Sequence, residues 1–567
     1  MVVGSDGAAS EAGPMGTRAR WDPVRVVALV AAVVPVVVTC AAQLAAGWIP
    51  TGDDAVASWR AWSVLSAHPT LLGAPTGAPG VGQHAVYAPG PVVSWLLAVP
   101  VHLDPWHGAL WGSALLMAAA AVLAVQAGWA AAGRPGAVAL AAVVVLLAFS
   151  RVDILVNPVW TPWMGAVWLV TTLSAAWAAA AGRHRWWPVV VVAGSIAAQC
   201  HVVFVLPALA ACAVAGVALW VGRSGSRRWP WFVSGIVAGV LMWLPTVVQQ
   251  AADRPGNLSL LLHSSAASGQ TFGYGQALRG LGAASALSPV WLHRLPAAGA
   301  TTFLQDVGPV FSAGWQWAVG ALVLTAATAV VAARFGRRHL AAAAAVSCAA
   351  GMATVATVAA VPASEALRMP YLDVVYWPVG MALWSTLAAA AATVGVRGWQ
   401  ALVRGRGWEP ARRRARSGCL RCRLPGAAAV VAGVVAAVVA GGALLVAISA
   451  AGMVRSQRSL PDGIATVTEG HQALARFERL AGSRVALPEV VGRGNFVDLD
   501  FELFIAYGAT VSGQRVALVG TEPPAVAAGA AETLTSSTPR VVIDIGAGPM
   551  TAHLVTPHGA RPASPAR

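Results

Sequence analysis

Apolar residues recur in eleven runs along the first 450 positions, near 24–48, 109–131, 136–150, 159–181, 187–200, 202–221, 231–250, 314–335, 340–362, 375–395 and 427–450. A helix needs roughly 20 apolar residues to cross a bilayer. The pattern therefore predicts an α-helical polytopic membrane domain over 24–450 with eleven transmembrane helices. The third and fifth runs are short, and little more than His201 separates the fifth from the sixth. The first run is too long for a signal-peptide core and lacks a convincing cleavage site, so it reads as a span. Residues 1–23 are small and polar ahead of it and read as a disordered cytoplasmic tail.

Two polar intervals are long, 49–108 and 251–313. In the first, Val56, Trp59, Trp62 and Leu65 recur at about three-residue spacing after Asp53, which predicts a helix lying in the membrane interface. A Pro/Gly-rich segment follows over 72–80. The apolar run near 91–100 is too short to span and predicts a second surface or re-entrant helix. The Gly/Ser/Ala-rich stretch up to Ala286 in the second interval reads as a mobile flap. After residue 450 the pattern changes to strand-like runs at 484–487, 514–519 and 540–545, separated by Gly and Pro. Residues 497–503 alternate as a strand would, although 496–507 fits an amphipathic helix equally well. A small α/β domain is expected over 451–556, with a frayed end at 557–567.

Composition supports the membrane reading. The chain is 57% hydrophobic and only 10% charged, which excludes a soluble domain of this length. Its formal charge of +15 comes from 37 Arg against 22 acids. Nucleic-acid binding is not the explanation, because the arginines follow the spans. Twenty-one lie in alternate segments, including nine in the basic loop 396–426, against six in the opposite ones. By the positive-inside rule, the N-terminus is cytoplasmic. Both long loops and the C-terminal domain are then extracytoplasmic. Cys419-Leu-Arg-Cys422 is a lone CxxC without the four ligands a zinc site needs, and reads as part of a solvated loop.

The outward side collects the candidate chemistry. Thr51-Gly-Asp-Asp54 places two acids at the mouth of the first span. Ionisable groups at that depth are costly and usually functional, although an Asp there also suits a helix cap. Arg60 and Arg151 are the nearby outward arginines, each also readable as a snorkelling interface residue. Asp153 reads as a substrate or metal ligand, or as a partner for Arg151. His201, beside Gln199, sits between two short spans, where a lone His is more often structural. His68, His84 and Tyr87 lie in the first loop.

Several segments then coincide with a known group. Gly52-Asp53 through Trp59-Arg60, Ala67-His-Pro69, Leu71-Leu-Gly73 and Pro89-Gly-Pro91 resemble the first outer loop of actinobacterial membrane glycosyltransferases of the GT-C class. Asn157-Pro-Val-Trp-Thr-Pro162, Gln199-Cys-His201, Trp243-Leu-Pro245 and Pro255-Gly-Asn257 resemble later motifs of that group. The match covers the membrane part to about residue 400. Relatives carry a Glu before the Arg of the first loop and a His before Pro-Gly-Pro, where this chain has Ser58 or Trp59 and Ala88.

The resemblance implies a GT-C-like fold and an enzyme moving a sugar from a polyprenyl-phosphate carrier to a cell-envelope glycan, lipid or protein on the outer face. It implies Asp53 as general base, with Asp54 able to share that role, and Asp153 as a second acid. Such chemistry needs a carboxylate to deprotonate the attacking hydroxyl and positive charge to steady the departing phosphate. Arg60, Arg151, Asp153, His201, His84 and Tyr87 are the candidate substrate contacts. No spacing demands a cofactor, and a divalent metal held by Asp153 with Asp53 is a further expectation. Two rival readings are a non-catalytic relative serving as a binding partner, and a lipid or sugar transporter. The second would place its charges nearer the midplane.

Overall fold

The computed structural model describes residues 22–76, 81, 84–222, 228–267, 270–294, 313–362, 370–405 and 423–459, with residues 507, 508, 510 and 511 and five strands beyond them. The N-terminal tail, the centre of the basic loop with its CxxC, and the stretches 484–487 and 497–503 lie outside the described residues.

Sixteen α-helices are used below: α1 Pro23–Ala45, α2 Gly52–Ser63, α3 Val92–Leu103, α4 Gly108–Ala132, α5 Arg134–Ser150, α6 Asp153–Val156, α7 Thr161–Ala180, α8 Trp187–Cys200, α9 Val205–Val221, α10 Trp229–Ala252, α11 Asn257–Ala267, α12 Gly273–Ser285, α13 Trp315–Arg334, α14 Arg338–Ala359, α15 Tyr376–Gly405 and α16 Arg423–Ser459. Among the described residues, nine stretches are long and apolar enough to cross a membrane. The expected eleven resolve into these nine plus α5 and α8. At 17 and 14 residues, these two reach about 25 and 21 Å, short of the ~30 Å hydrocarbon core.

Both short helices nevertheless run from one end of the bundle to the other. At the first end Arg134 pairs with Asp22 at 2.8 Å, Arg25 hydrogen-bonds Gln126, Arg183 Nε donates to Ala130 O at 2.9 Å, and Trp177 Nε1 donates to His339 O at 2.8 Å. This is the arginine end. At the opposite end Gln43 Nε2 donates to Val156 O at 2.6 Å. Ser150 Oγ donates to His293 O at 2.7 Å, and Gln199 Nε2 to Met242 O at 3.0 Å. This second end carries the acids. The last eight residues of α8, Ala193–Cys200, are all buried, so protein rather than lipid surrounds them and their short reach costs no hydrophobic mismatch.

Both surface helices expected in the first long interval are present as α2 and α3. Their packing departs from the interfacial reading, because Val56 and Trp59 are buried in the protein core instead of facing headgroups. Trp62 stacks on His102 of α3 with ring centroids 4.3 Å apart. The expected flap is also different. Its Gly/Ala-rich sequence forms α12, with Ala277 and Gly280 to Ser285 buried. Small side chains allow this close approach: a Cβ at Gly280 would meet the Tyr376 ring.

The C-terminal strands, β1 Glu489–Gly492, β2 Ala517–Val519, β3 Arg540–Ile545, β4 Thr551–Thr556 and β5 Gly559–Arg561, form one sheet in the order β2-β1-β3-β4-β5. The first three are parallel and the last two pairings antiparallel. β3 coincides with the expected run at 540–545, and β2 falls inside 514–519. Tyr507 ties this part to the acid end. Its hydroxyl donates to Pro105 O at 2.5 Å, and its ring meets Trp106 edge-on at 6.2 Å.

Candidate active site

The first-loop acids owe their position to how α2 starts. Gly47 and Gly52 both have positive φ, 70° and 51°, a conformation that glycine adopts without steric cost. They turn the chain out of α1 and into α2. Thr51 is the extended N-cap residue, and Asp53 and Asp54 occupy the first turn. Neither acid is the cap itself. The helix N-terminus favours negative charge there.

Asp53 is exposed on the first turn of α2. The surrounding protein raises its carboxyl above the usual 3.8, while a hydrogen bond from the Trp160 indole acts in the opposite sense. Asp54 is half-buried, and its carbonyl accepts from Ser58 Oγ at 2.8 Å.

Arg60 lies seven residues further along α2, on the same helical face and about 10 Å along the axis from Asp53. Its Nη1 donates to Leu72 O at 3.0 Å and Gly73 O at 2.8 Å, and its guanidinium sits 5.2 Å from the Tyr87 ring centroid. Burial pulls Arg60 down to about 10, with Tyr87 opposing. It remains cationic at neutral pH. The same burial raises the Tyr87 phenol.

A second cluster lies behind Trp160. Trp160 is the N-cap residue of α7 and Trp163 stands in its first turn, three residues apart and therefore neighbours on the helix. Their rings meet edge-on at 5.3 Å. Arg151 places its guanidinium 4.8 Å from Trp163 and 5.5 Å from Trp377. Its Nη2 is 3.5 Å from Asp153 Oδ2, and its charge also reaches Asp373. Arg151, Asp153 and Asp373 are 4%, 4% and 3% exposed. Buried charges survive only when paired, which makes Asp153 a partner of Arg151. Trp377 is held in turn, donating to Ser150 Oγ at 2.8 Å.

Sequence reasoning had not singled out Asp373. The neighbouring 363–369 lie outside the described residues, and Asp373 is at the edge of an apolar run, with no motif to mark it. Its signal was simply that of an acid entering a span.

The remaining motifs form a latch between the two long loops. Asn257 Oδ1 accepts from Tyr87 N at 2.9 Å, and its Nδ2 donates to Tyr87 O and Ala88 O, both at 3.1 Å. Gln249 Oε1 accepts from Asn257 N at 3.1 Å. Gln199 Oε1 accepts from Val92 N at 3.2 Å. A Cβ at Gly90 would overlap Gln199 and Thr246. His201 is buried, and its Nδ1 accepts from Val203 N at 3.3 Å, capping the turn into α9. His84 is exposed on the turn that pairs with Val81, and His68 is exposed beyond α2.

For a metal at Asp53 and Asp153 the donor set does not fit. A hard divalent cation takes six or more oxygens, and among the described residues no three His, Cys, Asp or Glu side chains group to hold one. Asp153 faces a guanidinium, and no step below runs through a metal.

No family model matches the chain, and no curated protein matches it significantly. Among solved structures it is similar to ArnT from Cupriavidus metallidurans bound to undecaprenyl phosphate. That likeness has 15% identity over 92% of each chain and a TM-score of 0.42. The apo form of the same protein gives 14% identity, the same coverage and a TM-score of 0.39. The apo oligosaccharyltransferase of Archaeoglobus fulgidus gives 12% identity over 86% of this chain and 64% of that one, with a TM-score of 0.36. No residue correspondence follows at these values.

Proposed function

We propose that this chain is a membrane glycosyltransferase that moves a sugar from a polyprenyl-phosphate donor to a cell-envelope acceptor on the outer face, with Asp53 as general base. One observation carries the reading. Asp53 is an exposed carboxylate at the end opposite the arginine-rich one, with a proton affinity raised above that of an ordinary aspartate.

The chemistry follows from that placement. Arginine-rich ends of membrane proteins face the cytoplasm, so the acid end is the outer one. A lipid-linked donor presents its phosphate at the bilayer surface, and α2 follows directly on the outer end of the first span. The acceptor hydroxyl gives its proton to Asp53 as its oxygen bonds to the anomeric carbon, and the bond from that carbon to the phosphate oxygen breaks. A single displacement inverts the anomeric centre. A base with raised proton affinity is better matched to this transfer than one at 3.8. Arg60, on the same helical face and cationic, is the candidate to steady the departing phosphate. Asp54, its neighbour in the same turn, is the alternative base.

Membranes carrying the wild type, Asp53→Asn or Asp54→Asn, given radiolabelled polyprenyl-phosphate sugars and envelope acceptors, test the proposal. Transfer by the wild type and by Asp54→Asn, with loss in Asp53→Asn, is the expected pattern. Donor binding without transfer by any form would favour a non-catalytic partner. An absence of donor binding would favour transport.

A further inference from the structure

We infer that the arginine end of α10 carries a binding site for an anionic phospholipid, its acyl chain lying in an apolar groove along the helix and its phosphate meeting Arg185 and Arg228. This site lies at the end opposite Asp53 and owes nothing to the sugar chemistry proposed above.

The groove follows from how little of α10 the protein covers. Of its 24 residues only Gly235, Thr246 and Gln249 are buried, and the last two lie toward the acid end. The first half of the helix is held along one line. Trp187 Nε1 donates to Phe232 O at 3.3 Å, a Cβ at Gly235 would overlap the Trp187 indole, and one at Gly239 would crowd Val191. Val233, Val237 and Leu241 are exposed. With Trp229, Ser234 and Ala238 they line a groove of about 820 Å³.

The length of the groove selects its occupant. From Trp229 to Leu241 the helix rises about 18 Å. One leaflet is about 15 Å deep, half of the hydrocarbon core, so an acyl chain entering from the arginine end fills the groove. A partner's transmembrane helix would call for a groove along the whole of α10, and this one stops at Leu241, short of Pro245.

Charge complementarity selects the headgroup. The groove opens at Trp229, where the Arg228 guanidinium sits 5.7 Å from the ring centroid. Arg228 Nη1 donates to Leu219 O at 2.8 Å, to Trp220 O at 2.9 Å and to Gly222 O, which fixes the cation over the end of α9. Arg185 is exposed in the turn His184–Trp186, which packs against α10. Between Asp153 and Asp253 the sequence has no acid, so no carboxylate on α7 to α10 neutralises these two guanidiniums. Trp220 and Trp229 are exposed and meet edge-on at 5.8 Å, and indoles concentrate at headgroup level. A phosphate there gains charge-assisted hydrogen bonds, as anionic headgroups do in basic pockets between membrane helices. A zwitterionic lipid brings its own cation and gains less.

Native mass spectrometry of the full-length protein in detergent, with phosphatidylglycerol or phosphatidylcholine of the same acyl chains added, tests the site. The wild type should retain phosphatidylglycerol and little phosphatidylcholine. Arg185→Gln should weaken phosphatidylglycerol binding about fivefold. Val237→Trp, which fills the groove from an exposed position, should abolish it. Arg338→Gln, which removes an exposed arginine at the same end on the turn into α14, should bind as the wild type does. Equal retention of the two lipids, or of neither, would overturn the site, as would wild-type binding by both Arg185→Gln and Val237→Trp. An equal loss in Arg338→Gln would show only general attraction to a basic face, and would overturn it too. A dimer that Val237→Trp dissociates would assign the groove to a second copy of the chain instead.

Discussion

At the scale of single residues, Asp53 and Asp54 differ in their surroundings, the first exposed and the second half-buried. Asp53 and Asp54 are adjacent and share a helical turn, so nothing in their order distinguishes base from neighbour. The Trp160 indole, more than a hundred residues away in sequence, acts on Asp53 and lowers its proton affinity against the effect of burial. A pH profile should carry its mark. Asp53 accepts a proton only when ionised, and its carboxyl is raised, so transfer should fall as pH drops through a midpoint above 3.8. Trp160→Phe removes the influence that lowers that midpoint, and the acid limb of kcat/KM should shift to higher pH. An unshifted limb would show that the indole does not tune the base. Arg151 and Asp153 were legible as a possible pair from their spacing. Their burial and the contacts of Arg151 with Trp163 and Trp377 were not, because Trp377 is over two hundred positions distant.

At the scale of elements, the short motifs turn out to be fasteners. Pro255-Gly-Asn257, Pro89-Gly-Pro91 and Gln199-Cys-His201 looked like separate signatures, and together they close the two long loops over the bundle end. Asn257→Ala would leave the Tyr87 amide and two carbonyls without their partner. Each unmet buried group costs roughly 1–3 kcal/mol, so thermal unfolding of the purified protein in detergent should show a loss of about 3 kcal/mol or more. A Tm equal to that of the wild type would contradict the latch. The helices α2 and α3 were predictable from period and punctuation. The misjudged element was α12, because glycine and alanine read as flexible chain until a tight helix interface is there to use them.

At the scale of the whole molecule, hydropathy anticipated the helix count and nearly every boundary, since burial in lipid selects composition more strongly than any local motif does. Two of the eleven helices are shorter than a span, and around the last eight residues of α8 protein replaces lipid, which hydropathy does not register. The excess of arginines at one end, 21 against six, was also visible in the sequence. Their side of the membrane can be measured. With Cys419 and Cys422 changed to Ser, Cys212, which is half-buried, changed to Ala and the three buried cysteines kept, His84→Cys should react with an impermeant maleimide in intact cells. Arg183→Cys should react only after permeabilisation. The reverse pattern would invert the topology and remove the outer-face site.

The central claim is that Asp53 is the base of a sugar transfer, and single-turnover transfer by purified Asp53→Asn against wild type tests it most directly. With a donor identified from the panel, the account predicts a fall of about 10²- to 10⁴-fold with donor binding retained. Transfer by Asp53→Asn at a rate within a few-fold of the wild type would contradict it.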